Sequence, residues 1–83
     1  MYKIYFTNKA EKELGKLARI DIDRILEKLP HLSEKSPNLD IKKLINQNNF
    51  YRLRIGKTRI IFEIDDNRKE IWIRKVGYRG GIY

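Results

Sequence analysis

Residues 51–65, "YRLRIGKTRIIFEID", alternate large apolar side chains with charged ones on either side of a Gly-Lys pair. A period of two marks a strand with one buried face, and Gly56-Lys57 between two such runs reads as a tight hairpin turn. Tyr51, Leu53 and Ile55 then point one way, and Arg52 and Arg54 the other. On the second strand Ile60, Phe62 and Ile64 share the inner face, which leaves Arg59, Ile61 and Glu63 outside. An ordinary half-buried strand would carry serine and threonine at those outer positions, so three arginines there call for an explanation.

The flanks complete the layout. After a turn at "DNR", strict alternation in "EIWIRKV" (70–76) makes a third strand with Ile71 and Ile73 inward and Trp72, Arg74 and Val76 outward. At the other end "YKIYF" (2–6) is a short strand closed by Thr7-Asn8, either of which can cap a helix. Ala10, Leu14, Leu17 and Ala18 recur at helical spacing, with Glu11, Lys12, Glu13 and Lys16 on the wet side. Asp21 or Asp23 starts a second helix, in which Ile22, Ile25, Leu26 and Leu29 hold the i, i+3, i+4, i+7 pattern. Pro30 lacks an amide hydrogen and should end or kink that helix near Leu29. "SEKSPNLD" reads as a loop, "IKKLI" as a turn or strand lead-in, and "NQNN" as a polar corner. The expected fold is α+β: one domain spanning 1–83, ordered βααβββ, with two helices on one face of an antiparallel sheet. Its other face is left uncovered, with Arg52, Arg54, Arg59 and Arg74 side by side.

Composition narrows what that face can do. The 83 residues make one thin-cored domain, 41% hydrophobic and 36% charged, that a partner would stabilise. There is no cysteine, which removes disulfides, thiolate metal sites and cysteine nucleophiles. No apolar run approaches the roughly 18 residues of a membrane span, and the start lacks a signal peptide's apolar centre, so a cytoplasmic location is expected. The net charge is +8, and it is unevenly placed: +3 over residues 1–49 and +5 over 50–83. Six of the eight arginines lie in that second part, whereas eight of the eleven lysines precede it. A guanidinium grips phosphate through paired hydrogen bonds, so clustered arginine points to a polyanion. The familiar catalytic groupings are missing. His31 is the only histidine, no Asp/His cluster forms a metal site, and Gly80-Gly81 opens no helix that would cradle a phosphate.

At the level of motif, "FYRLRIGKTRIIFEIDDNRKEIWIRKVGYRGGIY" (50–83), preceded by a strand and two helices, resembles toxins of the RelE superfamily from bacterial and archaeal toxin–antitoxin pairs. The Y-R-L-R-[IV]-G hairpin, an arginine three positions after that glycine, and V-G-x-R followed shortly by tyrosine carry the likeness. The resemblance implies a metal-independent, cofactor-free endoribonuclease that cuts messenger RNA in the ribosomal A site. It also implies a cognate antitoxin that blocks it. By position, Arg52 and Arg54 become the basic pair of the first hairpin strand, Arg59 the phosphate-binding arginine, Arg79 that of V-G-x-R, and Tyr83 the tyrosine after it. Lys57, Arg74 and Tyr78 are the accompanying RNA contacts. Some relatives place lysine where this chain has Arg52 or Arg54, and arginine is a poor proton acceptor, so Tyr83 and Glu63 are alternative bases. Tyr78 stands where many relatives carry histidine, which favours a stacking role. The competing reading within the superfamily is a ParE-like toxin that acts on DNA gyrase and cleaves no RNA. A noncatalytic RNA-binding domain would account for the charge alone.

Overall fold

A computed structural model describes residues 1–34, 38–45 and 48–80. The chain runs β1 (Lys3–Phe6), α1 (Asn8–Gly15), α2 (Arg19–Ser33), β2 (Asp40–Lys43), β3 (Phe50–Ile55), β4 (Thr58–Asp65) and β5 (Glu70–Tyr78). One five-stranded sheet has the order β1-β5-β4-β3-β2. The α+β class and the two helices on one face agree with the sequence reading. Two features of the sheet differ from it. "IKK" belongs to an edge strand, β2, and β1 pairs with β5 in parallel, so the sheet is mixed.

The core follows from periodicity. Ala10 of α1 and Ile25, Leu29 and Leu32 of α2 pack on Leu53, Ile55, Ile60, Phe62, Ile71, Ile73 and Val76. Thr7 is the cap of α1, its hydroxyl accepting from the Ala10 amide at 3.1 Å. Helix α2 starts two residues before Asp21 and runs through Pro30 to Ser33. The proline removes one amide donor, but the last turn is held by burial of Leu32 and by β1. The Tyr2 amide donates to the Ser33 carbonyl, and the Ser33 hydroxyl donates to the Tyr2 carbonyl.

A bulge in β5 corrects the alternation. Ile61 pairs with Lys75 but Phe62 pairs with Ile73, leaving Arg74 as the extra residue. The chain beyond it changes face, and Val76 becomes 3% exposed core rather than outward. Arg74 is consequently not in line with the other arginines. Ile61 is buried on the face without helices, between Arg52 and Lys75, whose aliphatic stems cover it in place of a helix.

Ile55 pairs with Thr58, so the hairpin loop is Gly56-Lys57, with Gly56 at φ 56°. Positive φ at the first loop residue suits a II′ turn, whose twist matches the strands. Gly56→Ala is expected to lower stability by about 1–2 kcal/mol, the cost of a side chain in the left-handed region. An unchanged urea midpoint for this variant would show that the turn tolerates a Cβ.

Candidate functional site

The sheet brings four positions into a row: Asp40 on β2 is opposite Arg54 on β3, Arg54 is opposite Arg59 on β4, and Arg59 is opposite Gly77 on β5. Two guanidiniums facing each other across strands repel. Asp40 offsets this from the edge: its carboxylate lies 3.3 Å from Arg52 Nη2 and 3.8 Å from Arg54 Nε. On the opposite side stands Gly77, which has no side chain and is itself buried.

Arg59 divides two open clefts. The first, about 660 Å³, is lined by Lys57, Arg59, Tyr78, Arg79 and Gly80. The second, about 250 Å³, is lined by Lys42, Lys43, Leu44, Ile45, Arg52 and Arg59. Among the described residues six cationic side chains line the pair, and no carboxylate lines either. Among the described residues the Nε atoms of Arg52 and Arg54 are buried without a hydrogen-bond partner, so the terminal nitrogens are the ones turned toward solvent, and that of Arg52 toward the Asp40 carboxylate. Such an arrangement suits a phosphodiester backbone, whose oxygens accept and whose charge relieves the repulsion.

Beneath the first cleft lies Asp21, 2% exposed, in the first turn of α2. The Tyr78 hydroxyl donates to its Oδ2 at 3.0 Å and accepts from the Ala18 amide at 2.9 Å. Lys57 Nζ is 4.0 Å from the same Oδ2 and 5.5 Å from the Tyr78 ring centroid. The Arg79 amide donates to the Lys57 carbonyl at 2.9 Å, which fixes the end of β5 to the hairpin loop.

Arg54, Arg59, Lys57, Tyr78 and Arg79 are therefore gathered at the hairpin end of the sheet, with Arg52 farther back along β3 in the second cleft. Arg74 lies elsewhere. Its Nε and Nη2 donate to Glu63 Oε1 at 2.9 and 2.6 Å, and its guanidinium sits over the Phe50 ring. Both belong to a separate cleft with Asp65, Glu70 and Trp72. Glu63 is four residues from Arg59 along β4, about 13 Å in an extended strand, so it is no neighbour of the basic clefts. Tyr83 lies outside the described residues. Among the described residues no three His, Asp or Glu side chains come together as a metal site would require. His31 is exposed on the last turn of α2.

Sequence reading missed Lys42, Lys43 and Asp40 as part of the site: Asp40 falls in "SEKSPNLD", which reads as a loop, and the lysines in "IKKLI", which reads as a turn or strand lead-in, whereas all three belong to β2. It also missed Asp21 as part of the site, since nothing local ties it to residues more than thirty positions away.

Comparison with known proteins gives a consistent result. The family described as the ParE toxin of type II toxin–antitoxin systems, parDE, matches residues 4–83. No curated protein matches the chain. Among solved structures, the RelB–RelE antitoxin–toxin complex from Methanococcus jannaschii has a chain 30% identical, with 95% of this chain and 94% of that one covered and a TM-score of 0.74. The archaeal RelE–RelB complex from Pyrococcus horikoshii OT3 is 28% identical over 96% of this chain and 97% of that one, with a TM-score of 0.78. The RelBE2 toxin–antitoxin complex from Mycobacterium tuberculosis is 26% identical over 94% and 98%, with a TM-score of 0.81.

Proposed function

This chain belongs to the ParE toxin family, within the RelE/ParE superfamily of type II toxin–antitoxin toxins, and from that premise we propose that it is an endoribonuclease that cuts messenger RNA in the ribosomal A site. The observation that carries this reading is the pair of basic clefts that share Arg59 and have, among the described residues, no carboxylate in their lining. A toxin that bound only protein would have no use for guanidiniums converging on one point of an open sheet.

In the proposed reaction the ribose 2′-oxygen attacks the adjacent phosphorus. The 2′-O–P bond forms, the P–O5′ bond breaks, and a 2′,3′-cyclic phosphate and a 5′-hydroxyl result. Negative charge gathers on the nonbridging oxygens, where Arg59 and Arg79 stabilise it more than in the ground state. Arg52 and Arg54 hold the backbone and orient the attacked phosphate, and Tyr83 acts with them on the substrate. Lys57 and Tyr78 line the path, with Tyr78 offering its ring to a base. Arg74 contacts a more distant part of the RNA. No metal ion or cofactor is called on. The partner is a cognate antitoxin, as in the neighbouring complexes, and an acidic segment laid over the clefts would both stabilise and silence the toxin.

A second reading, inhibition of DNA gyrase, is favoured by one observation: the family that matches carries the ParE name. Two assays on purified protein separate the readings. With ribosomes programmed with a defined messenger RNA, the expected result is cuts within the A-site codon. With gyrase and supercoiled plasmid, the expected result is unaltered supercoiling. Intact messenger RNA together with accumulated gyrase–DNA cleavage complexes would replace the first reading by the second.

A further inference from the structure

We propose that Lys57 is the general acid of this site, giving its proton to the departing 5′-oxygen, and that buried Asp21 is the residue that positions it. The inference rests on the ribonuclease reading above. An alkoxide leaves poorly, so an unassisted P–O5′ cleavage is slow and a proton donor beside the 5′-oxygen is needed. Among the described residues the first cleft offers Lys57, Arg59, Tyr78 and Arg79 as polar side chains. Guanidiniums are poor proton donors to a leaving oxygen because their charge is delocalised and strongly held. The Tyr78 hydroxyl has its proton committed to Asp21 and its lone pair to the Ala18 amide. Lys57 is left, an ammonium with three donors on a side chain 70% exposed toward the cleft.

Its placement is specified from three sides. The two-residue loop sets its backbone, and the Arg79 amide bonds to its carbonyl, so proton donor and phosphate-binding arginine are held in one register. The Tyr78 ring and the Asp21 carboxylate, 5.5 and 4.0 Å from Nζ, orient the ammonium. Asp21 is a buried carboxylate that the rest of the reaction does not use. The proton balance is complete: the 2′-hydroxyl gives its proton to solvent water, Lys57 Nζ–H passes one to O5′, and the neutral amine regains one from water.

The test uses a synthetic messenger RNA, placed on ribosomes, whose scissile linkage carries either the normal 5′-oxygen or a bridging 5′-sulfur. A thiolate leaves without protonation, so sulfur removes the need for the acid. In single-turnover reactions Lys57→Arg, which keeps the charge, is expected to slow cleavage of the oxygen substrate by about 10²- to 10⁴-fold. It is expected to cleave the sulfur substrate at the wild-type rate. Asp21→Asn, which still accepts from Tyr78, is expected to slow only the oxygen substrate. Merely structural damage would slow both substrates. Lys57→Arg cleaving the oxygen substrate at the wild-type rate, or slowing both substrates equally, overturns the inference and leaves the ribonuclease reading standing. Wild-type protein that leaves the oxygen substrate intact overturns both.

Discussion

Arg59→Ala is expected to slow cleavage of ribosome-bound messenger RNA by about 10²- to 10³-fold, the cost of removing one preorganised donor from a developing oxyanion. The expectation follows from position. Among the described residues Arg59 is the one side chain common to both basic clefts. Removing it also ends the Arg54–Arg59 opposition, so the melting temperature should not fall as an ordinary loss of contacts would make it fall. Arg59→Lys keeps a charge without the planar fork and should recover only part of the rate. Single-turnover rates and thermal melts on the same preparations separate the two effects. Wild-type cleavage by Arg59→Ala would remove this residue from the site and shift the weight to Arg79 and Arg52.

The largest expected effect on stability is that of Phe62→Ala. Phe62 is fully buried at the centre of the sheet, pairs across to Ile73 and Tyr51, and stacks on the Tyr51 ring at 5.6 Å. Truncating a buried phenylalanine costs about 3–5 kcal/mol. Whole domains are stable by only about 5–15 kcal/mol, and this one has a thin core. The variant should therefore show a much lower urea midpoint and lose toxicity through unfolding. Co-expression with the antitoxin should recover soluble protein, because a partner that binds only the folded form shifts the equilibrium. A midpoint within about 1 kcal/mol of wild type would mean that the core collapses to fill the gap and is less tightly packed than its burial implies.

Much of this protein follows from local order in the chain. The period of two from Tyr51 to Asp65, broken at Gly56-Lys57, is enough to make a hairpin with apolar residues on one side and Arg52, Arg54 and Arg59 on the other. Helical spacing is enough to bury Ala10, Ile25 and Leu29, although Leu26 and Ala18 of the same apolar patterns stay exposed, Ala18 beyond the end of α1. These are short-range consequences of strand and helix geometry, in which side chains repeat every two or about 3.6 residues. The candidate arginines were visible for the same reason. Beyond that, three things were decided only when the chain closed on itself. The pairing of β1 with β5 joins residues nearly seventy positions apart, and no periodicity records a partner at that distance. The bulge at Arg74 turned a regular alternation out of phase, sending Val76 into the core and Arg74 to Glu63 rather than to the basic row. The contacts of Asp40 with Arg52 and Arg54, and of Asp21 with Tyr78 and Lys57, arise because residues far apart in sequence meet near the hairpin end of the sheet, across neighbouring strands and at a helix start. Charge and period are properties of a segment, readable from the residues in order. Which charge faces which is a property of packing, and packing is settled by the burial of the whole apolar set at once.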